Sequence, residues 1–426
     1  MKYFSTNLNT EFVNFEEALF KGLAPDGGLF MPENIKFLGT DIFKEKMTYP
    51  ELATEMIFPF VEGEIDKSVL NKICKSAFNF PAPIVSIYPN LSILELFHGP
   101  TFAFKDFAAR FMARVMQYFM QNKNQERTIL VATSGDTGSA VANGFYKVDG
   151  INVVILYPSG RVSKIQEKQI TSLGENITAI EVKGSFDDCQ KMVKMAFLDE
   201  KIHKKLNLSS ANSINIARLL PQSVYYAWAW SYLDCPKNLI VSVPSGNFGN
   251  LTGGLFAKKM GLPISKFLAS VNANATFSNY LKNGNYQPMV SVSTLSNAMD
   301  VGNPSNFARI MSLYKSDISE IRKDIDSISI SDDLTTKSIL EINQKFNYVA
   351  DPHTAVGLSG IKNNLKKNQF GIVLSTAHPG KFSDIIEPII NKKVKCLIQV
   401  EEAQKKPKNN LIIQNNYYDF KSVLLD

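Results

Sequence analysis

The sequence predicts an α/β fold built around a mainly parallel sheet. Three segments share one order: a short β-branched run, a turn rich in glycine or proline, and a helical stretch. They are RTILVATSGDTGSAVANGF, NLIVSVPSGNFGNLTGGLFAKKM and GIVLSTAHPGKFSDII. Strands that alternate with helices are typical of parallel sheets. Ligands of such sheets bind beyond the carboxyl ends of the strands, where all three turns are expected to lie.

Further elements are predicted between these units. The runs INVVILYP, NITAIEV and KFLASVN predict strands, and DDCQKMVKMAFLDEKIHKKL has apolar residues at helical spacing. The polar segment 318–347 has a helical pattern and predicts a pair of surface helices. The segment PAPIVSIYPN at 81–90 carries three prolines, which indicates a linker or an edge segment.

Residues 1–85 are predicted to form a separate unit. Within them, FEEALFKGLAPDGGLFMPENI combines a short amphipathic helix with a turn rich in proline and glycine. The alternation of strands and helices begins only after this part of the chain. We therefore expect an N-terminal domain over residues 1–85 and a core over residues 86–426.

Composition excludes several classes of protein. The chain has 426 residues, of which 45% are hydrophobic and 20% charged, as is ordinary for a globular protein of two or three domains. The net charge of +6 could favour an anionic partner. However, the densest basic runs, NKKVK and KKPK, lack interleaved aromatic residues, so neither nucleic-acid binding nor a membrane partner is expected.

The cysteines and the N-terminus predict a soluble cytoplasmic protein. The four cysteines lie far apart without a CxxC pair, which indicates reduced thiols. The N-terminus lacks the apolar region of a signal peptide. No stretch approaches the ~18 apolar residues that a membrane span needs.

Lys105 is the first candidate for chemistry. It lies in the segment ELFHGPTFAFKDFAARFM, with Phe102, Phe104 and Phe107 close to it in sequence and Asp106 next to it. Aromatic surroundings that exclude water lower the pKa of a lysine, and the neutral amine can form a Schiff base. A lysine among aromatic residues is more often a surface residue with a buried stem. This segment alone leaves both interpretations open.

The glycine loop SGNFGN at 245–250 predicts an anion site. Backbone N–H groups at a strand-to-helix turn point towards a bound anion such as phosphate. A tight turn without a ligand needs the same glycines, so the segment alone does not decide. No GK[ST] follows and the GxGxxG spacing is absent, which argues against nucleotide binding.

Three other segments carry polar groups suited to binding. The loop TSGDTGSA at 133–140 offers hydroxyls and an acid at a helix N-terminus, which suits a substrate carboxylate or another anion. Asn212, Asn215 and Arg218 recur at helical spacing, and arginine matches phosphate oxygens, although a surface ion pair is the commoner role of a lone arginine. His378 follows the third strand as a candidate acid or base. No GxSxG or HExxH occurs, and metal catalysis is not expected.

In this order, Lys105 and the three loops resemble the tryptophan-synthase-β family of pyridoxal phosphate (PLP) enzymes, fold type II. The segments GPTFAFKDFAARFM, ATSGDTGSAVANGF, SANSINIARLLPQ, VPSGNFGNLTGG, STAHPGKF and FEEALFKGLAPDGGLFMPE are similar to those of the threonine synthase family within it. The resemblance runs from about Phe12 to Lys381. It implies two open α/β subdomains plus a small N-terminal domain, with a mobile small subdomain over roughly residues 110–225.

The resemblance also implies a cofactor and a set of site residues. The cofactor is pyridoxal 5'-phosphate, and Lys105 is the lysine that bonds to it and moves protons. Main-chain amides hold the cofactor phosphate and a neutral hydroxyl lies near the pyridine nitrogen; these residues are Gly246, Asn247, Phe248, Gly249, Asn250 and Thr376. The implied substrate-binding residues are Ser134, Asp136, Thr137, Asn212, Ser213 and Arg218. Asp136 replaces the asparagine common in relatives that act on unphosphorylated substrates.

The implied reaction converts O-phosphohomoserine and water to L-threonine and phosphate, the last step of threonine biosynthesis. It proceeds by β,γ-elimination followed by addition of water at Cβ. Two alternatives stay open. One is another lyase of the same family, such as a threonine dehydratase, which needs no second phosphate site. The other is a non-catalytic homologue, which should have lost Lys105. A monomer or a homodimer is expected.

Overall fold

The structure, a computed structural model, describes residues 1–121, 123, 125–133, 135–362, 364–395 and 405–425. Ser134 and Cys396 lie outside the described residues. The strands are β1 (Tyr3–Ser5), β2 (Phe30–Pro32), β3 (Ile84–Tyr88), β4 (Leu91–Glu95), β5 (Arg127–Ala132), β6 (Ile151–Pro158), β7 (Ile177–Lys183), β8 (Ser209–Ser210), β9 (Leu239–Pro244), β10 (Ile264–Val271), β11 (Ile325–Ser329), β12 (Phe370–Ser375) and β13 (Leu411–Gln414).

Helices cover and connect these strands. They are α1 (Phe15–Lys21), α2 (Tyr49–Val61), α3 (Lys67–Ala77), α4 (Lys105–Met120), α5 (Asp136–Phe145), α6 (Lys164–Thr171), α7 (Phe186–Leu198), α8 (Glu200–Leu206), α9 (Ile216–Leu219), α10 (Val224–Tyr232), α11 (Gly249–Lys259), α12 (Thr276–Asn283), α13 (Phe307–Leu313), α14 (Ile318–Asp324), α15 (Asp332–Phe346), α16 (Pro352–Lys362), α17 (Ser383–Ile390) and α18 (Tyr417–Leu425). Short 3₁₀ turns add residues 41–44, 220–223, 297–299 and 379–382.

Two mainly parallel sheets organise the described chain. The larger has the order β11-β10-β9-β12-β4-β3, and every pair in it is parallel except β3 with β4. The smaller has the order β13-β7-β6-β5-β8 and is parallel throughout. The predicted α/β class is confirmed, and the three strand–turn–helix units supply β5, β9 and β12. The segment 81–90, predicted as a linker or an edge segment, contains the edge strand β3, and its prolines lie on either side of that strand.

Two sequence-based predictions about helices are wrong in detail. The segment 318–347 does contain two helices, α14 and α15, but the unpredicted strand β11 lies between them and pairs in parallel with β10. The sequence of β11, IDSIS, is so polar that its pattern did not predict an edge strand. The helix predicted after β7 is two helices, because Asp199 caps α8 by accepting from the N–H groups of Lys201 and Ile202.

The N-terminal unit shares its apolar core with the rest of the chain. Phe60 of α2 stacks on Phe256 of α11, with ring centroids 5.9 Å apart. Tyr49 packs against Phe107 of α4 at 5.2 Å. Such contacts anchor the two parts of the chain to each other, and the boundary near residue 85 stays a prediction.

The C-terminal segment belongs to the smaller sheet. β13 pairs with β7, and the helix α18 packs against α7 and α8. The smaller sheet therefore includes a strand from near the end of the described chain, and the mobile subdomain over roughly residues 110–225 stays a prediction. In the described part of the chain, no helix combines the length and apolar character of a membrane span. Cys74, Cys189 and Cys235 are free thiols.

Candidate active site

The carboxyl end of β12 lies against the start of α4. The backbone N–H of Phe104 donates to the carbonyl of Thr376 at 2.9 Å. The N–H of His378 donates to the carbonyl of Phe102 at 3.0 Å. These two bonds place Lys105, the first residue of α4, beside the strand end that carries Thr376. Two candidates far apart in sequence are thus brought together.

Lys105 is half-buried, and its Nζ makes no hydrogen bond to any described residue. Burial lowers the pKa of Lys105 to about 8; the positive charges of Arg218 and Lys381 act in the same direction, and Asp136 opposes them. The neutral amine is therefore more accessible near neutral pH than in an exposed lysine. The predicted desolvated lysine is present.

The aromatic surroundings of Lys105 are smaller than predicted. Its Nζ lies 5.9 Å from the ring centroid of Phe104. Phe107 instead packs into the core, with Phe80 at 4.7 Å and Tyr49 at 5.2 Å between ring centroids. The reason is helical geometry, because a residue two positions along α4 points to a different face from Lys105. The hydration that Lys105 loses on folding is therefore displaced mainly by the surrounding protein and not by the three phenylalanines.

Asp106 supports the turn before α4. Its two carboxylate oxygens accept from the hydroxyl of Thr101 at 2.6 Å and from the Thr101 backbone N–H at 2.8 Å. Burial raises the pKa of Asp106 to about 6, against the lowering effect of those two bonds. Asp106 therefore orients the segment that presents Lys105.

The glycine loop between β9 and α11 forms a cradle of free amides. The backbone N–H groups of residues 246–250 donate to no acceptor among the described residues. The Asn250 side chain braces the loop: its amide donates to the Pro244 carbonyl at 2.8 Å, and its Oδ1 accepts from Ser245 at 2.7 Å. Five free donors at a helix N-terminus are the pattern that binds a phosphate.

Phe248 gives this loop its sharp turn. Its φ of 58° lies in the left-handed region, which a bulky residue adopts only under constraint. The Phe248 ring is buried against Phe277, with centroids 4.7 Å apart. Packing of the ring thus stabilises the backbone shape that exposes the amides.

Alanine at Gly246 is expected to weaken cofactor binding. A Cβ there would lie 2.7 Å from Cα of Met299, so the loop must move. For PLP, the cofactor that the family resemblance implies, we expect the dissociation constant of the Gly246→Ala protein to rise by about tenfold, roughly 1.4 kcal/mol. Gly249→Ala, whose Cβ would meet no atom closer than 3.5 Å, should have a smaller effect. Absorbance titration of the two apoproteins measures both values, and an equal effect would contradict the steric explanation.

The loop after β5 presents Asp136 at the start of α5. Thr133 shapes this loop, because its hydroxyl accepts from the N–H groups of Gly135 at 3.2 Å and Gly138 at 3.0 Å. Thr137 is half-buried beside Asp136. The predicted role of Ser134 falls outside the described residues.

A buried ion pair joins this loop to the turn after β12. Lys381 Nζ lies 2.5 Å from Oδ1 of Asp136, and both side chains are almost fully buried. Gln166 donates to the same Oδ1 at 2.9 Å, and Lys381 also donates to the Thr101 carbonyl at 2.9 Å. Burial favours the neutral acid, but Lys381 and Lys105 keep the pKa of Asp136 well below its usual range. The pair connects the two sheets next to Lys105.

Lys381 was missed as a functional candidate by sequence reasoning. It belongs to the segment STAHPGKF, but nothing local distinguishes it from an exposed lysine. The sequence did contain one indication of Lys381, namely the acid in the TSGDTG loop, which has no basic residue next to it. A buried carboxylate requires a positively charged partner, and that partner had to come from elsewhere in the chain.

His378 does not fit the role of an acid or base at neutral pH. Its Nδ1 accepts from the N–H of Gly380 at 3.0 Å and so caps the 3₁₀ turn. Burial, with the neighbouring His98, lowers the pKa of His378 to about 4. The ring is therefore neutral at pH 7 and supports the turn that carries Lys381.

The segment 212–218 is not a single helical face. Asn212 lies in a turn before α9, and Asn215 is the N-cap of that helix. The Asn215 amide is fully occupied by the carbonyls of Leu19 at 2.8 Å and Ser210 at 3.0 Å. The short side chain of Asn215 caps α9, so the helical spacing of Asn212, Asn215 and Arg218 does not correspond to one helix.

Arg218 is buried, which contradicts the surface ion pair considered for it. It is 3% exposed, and its Nη1 donates to the Ala211 carbonyl. Its Nε has no partner among the described residues, and the same holds for Oδ1 of Asn212. Burial lowers the pKa of Arg218 to about 10. A buried cation with a free donor is suited to an anionic ligand.

Ser213 lies against the glycine loop. Its hydroxyl accepts from the side-chain amide of Asn247. The segment 212–218 and the loop 246–250 are therefore neighbours. Thr376 is 6% exposed, and its hydroxyl makes no hydrogen bond to the described residues.

These residues fit a phosphate-bearing aldehyde. The free amides of residues 246–250 suit the phosphate, and the unbonded amine of Lys105 suits the carbonyl carbon. A free hydroxyl at Thr376 suits a ring nitrogen. In addition, Arg218 offers positive charge for a second anionic group.

Comparisons with known proteins show the family of this chain. The family described as "Pyridoxal-phosphate dependent enzyme" matches residues 90–375, and "Threonine synthase N terminus" matches residues 2–78. A curated threonine synthase from Buchnera aphidicola is 44% identical, covering 100% of both chains. The Escherichia coli threonine synthase crystal structure superposes with a TM-score of 0.94 at 37% identity, covering 100% of this chain and 99% of that one. A PLP-bound threonine synthase structure from Brucella melitensis gives 0.95 at 33%, covering 100% and 98%.

The fold and the site thus define a PLP-dependent enzyme of fold type II. Its cofactor is pyridoxal 5'-phosphate. Within that class, the chain belongs to the threonine synthase family and is a lyase of threonine biosynthesis.

Proposed function

We propose that the substrate is O-phosphohomoserine and that the products are L-threonine and phosphate. The observation that carries this proposal is the buried Arg218, whose Nε has no partner among the residues that the structure describes and which lies close enough to Lys105 to lower its pKa. A dehydratase acting on unphosphorylated threonine has no use for a second buried cation of this kind. Family membership favours the same choice.

The cofactor would be held by residues already described. The amides of residues 246–250 would bind its phosphate, Lys105 would hold it covalently through Nζ, and Thr376 would face its ring nitrogen. When bound, PLP supplies an electron sink that stabilises negative charge at substrate carbons. The neutral hydroxyl of Thr376 suits a ring nitrogen that stays unprotonated.

Lys105 is proposed to move the protons of the reaction. As a free amine, its Nζ takes a proton from Cα, gives it up, and then takes a proton from Cβ of the substrate, after which phosphate leaves from Cγ with its bonding electrons. Water then adds OH at Cβ and its other proton goes to the phosphate, while the two protons taken by Nζ return to Cγ and Cα. A base that both takes and returns protons works best with a pKa near the working pH, and the pKa of Lys105 is about 8.

Substrate recognition is divided between two loops in this proposal. Asp136 and Thr137, with Ser134 outside the described residues, would face the amino-acid end of the substrate. Asn212, Ser213 and Arg218 would bind its phosphate. Because Oδ1 of Asp136 is shared by Lys381 and Gln166, we assign Asp136 chiefly to holding the two loops together around the substrate.

Removal of Arg218 is expected to impair substrate phosphate binding. We expect Arg218→Gln to lower kcat/KM for O-phosphohomoserine by about 100-fold, the scale of one or two lost charge-assisted hydrogen bonds. Inhibition by inorganic phosphate should weaken in parallel, while the visible spectrum of bound PLP stays the same. Arg322→Gln is the matched control, since this exposed arginine bonds the carbonyls of Leu281 and Lys282 and no other described residue.

A direct assay tests the proposed reaction. Purified protein and O-phosphohomoserine should yield threonine and phosphate in equal amounts. Deamination of threonine without phosphate release from O-phosphohomoserine would overturn the proposal in favour of a dehydratase. The proposal also places this chemistry in the cytoplasm, in keeping with three free thiols in the described chain, and in a monomer or homodimer.

A further inference from the structure

Arg309 is a fully buried cation for which the described part of the chain provides no carboxylate. Its donors are nonetheless all engaged. The carbonyl of Phe30 accepts from Nε at 3.2 Å and Nη2 at 3.1 Å, and that of Ile214 accepts from Nη2 at 2.6 Å. Nη1 donates to the Ser213 carbonyl at 3.3 Å and to Oδ1 of Asn306 at 2.7 Å.

A buried charge satisfied only by neutral groups is unusual. Hydrogen bonds to carbonyls replace part of the lost hydration, but they do not balance the charge. Burial lowers the pKa of Arg309 to about 9, which leaves it charged at neutral pH. The surroundings of Arg309 therefore favour an anion nearby.

Two short series of hydrogen bonds connect Arg309 to the glycine loop. In one, Ser213, whose carbonyl accepts from Arg309, also accepts at its hydroxyl from the Asn247 amide. In the other, Asn306 accepts from Arg309 and donates to the Asn247 carbonyl at 3.0 Å. The backbone N–H of Ser305 donates to Asn247 Oδ1 at 2.6 Å. Asn247 therefore has three hydrogen-bond partners, and two of them, Ser213 and Asn306, also bond Arg309.

We propose that Arg309 is a positioning residue for the cofactor phosphate, which supplies the missing counter-charge. Arg309 orders Asn247 and Ser213 so that the free amides of residues 246–250 converge, and its positive charge strengthens anion binding behind them. The inference rests on the proposed role of residues 246–250. It also gives the N-terminal unit a part in the site, since Phe30 supplies two of the five bonds.

A purely structural role predicts a different result. If Arg309 only ties the N-terminal unit to the core, its loss weakens binding of any ligand through general loosening. If it serves the phosphate, its loss affects ligands that carry a phosphate and spares those that do not. Pyridoxal lacks only the phosphate of PLP, so the pair separates the two cases.

The experiment compares PLP with pyridoxal. Apoprotein is titrated with each compound by absorbance, and the ratio of the two dissociation constants gives the preference for phosphate. We expect Arg309→Gln to reduce this ratio by about tenfold or more, the scale of one charge-assisted interaction. Arg309→Lys keeps the charge and should retain part of the preference. Arg322→Gln should leave the ratio unchanged.

The outcomes are distinguishable. If Arg309→Gln and Arg309→Lys both bind PLP and pyridoxal more weakly by the same factor, the inference is overturned and the role is structural. If the unaltered protein shows no preference for PLP, the proposed phosphate loop itself fails. Should Arg309→Gln not fold, Arg309→Lys and Asn306→Ala decide: a lower preference in both supports the inference, and an unchanged preference in both overturns it.

Discussion

Replacement of Lys105 by alanine is expected to abolish turnover while leaving weak binding of the cofactor. The amides of residues 246–250 remain able to hold the phosphate, but no amine remains to bond the cofactor or to move protons. We expect kcat to fall by about 10⁴-fold, the upper end of the effect of a lost general acid–base group. Steady-state assays and absorbance titration measure the two effects separately. Lys393→Ala, at an exposed lysine paired with Glu387, is the control.

Two further observations test the same lysine. Borohydride treatment of the holoenzyme should fix the cofactor to the peptide that contains Lys105. Capture of PLP by the apoprotein should accelerate as pH rises, with a midpoint near the pKa of about 8, because the neutral amine is the reactive form. Label on another lysine, or a midpoint near 10.5, would contradict the assignment of Lys105.

The second large effect is expected at the buried pair of Lys381 and Asp136. Removal of one partner leaves an uncompensated buried charge, which costs about 3–5 kcal/mol of folding free energy. We therefore expect Lys381→Met and Asp136→Asn each to lower stability in urea unfolding. The double variant should recover part of the lost stability, because no buried charge is then left without its partner. Additive losses would contradict a direct interaction.

The two single variants should also move the titration of Lys105 in opposite directions. Loss of Lys381 removes a repelling positive charge and leaves Asp136 to favour the ammonium form, so the midpoint rises. Loss of the charge on Asp136 removes an attraction, so the midpoint falls. Each shift should be about 1 pH unit, the low end of what a neighbouring charge produces. Shifts of the same sign in both variants would indicate a general structural effect.

Local sequence was sufficient for the central elements of the fold. The β-branched runs before TSGDTG, SGNFGN and STAHPG form β5, β9 and β12, and the glycine turns lie at their carboxyl ends. The prolines of 81–90 indicated a linker or an edge segment, and the structure decides for an edge strand. These features depend on side-chain alternation and on backbone constraints of proline and glycine, which neighbouring residues alone determine.

Polar segments were harder to interpret. The strand β11 and the N-cap Asn215 both lie in segments whose residues recur at the spacing of a helix in the sequence. For β11 the deciding factor is pairing with β10, and for Asn215 it is hydrogen bonding to Leu19 and Ser210. Neither partner is near in sequence, so periodicity could not identify the outcome.

By itself, the sequence determined the α/β class, the position of Lys105 and the phosphate-type loop, because each depends on residues close together in the chain. Only the tertiary structure decided the partners of the buried charges: Lys381 with Asp136, Arg218 with a free donor, and Arg309 behind Asn247. The physical reason is desolvation. A charged side chain looks the same in sequence whether water or protein surrounds it, and its chemistry depends on which of the two does.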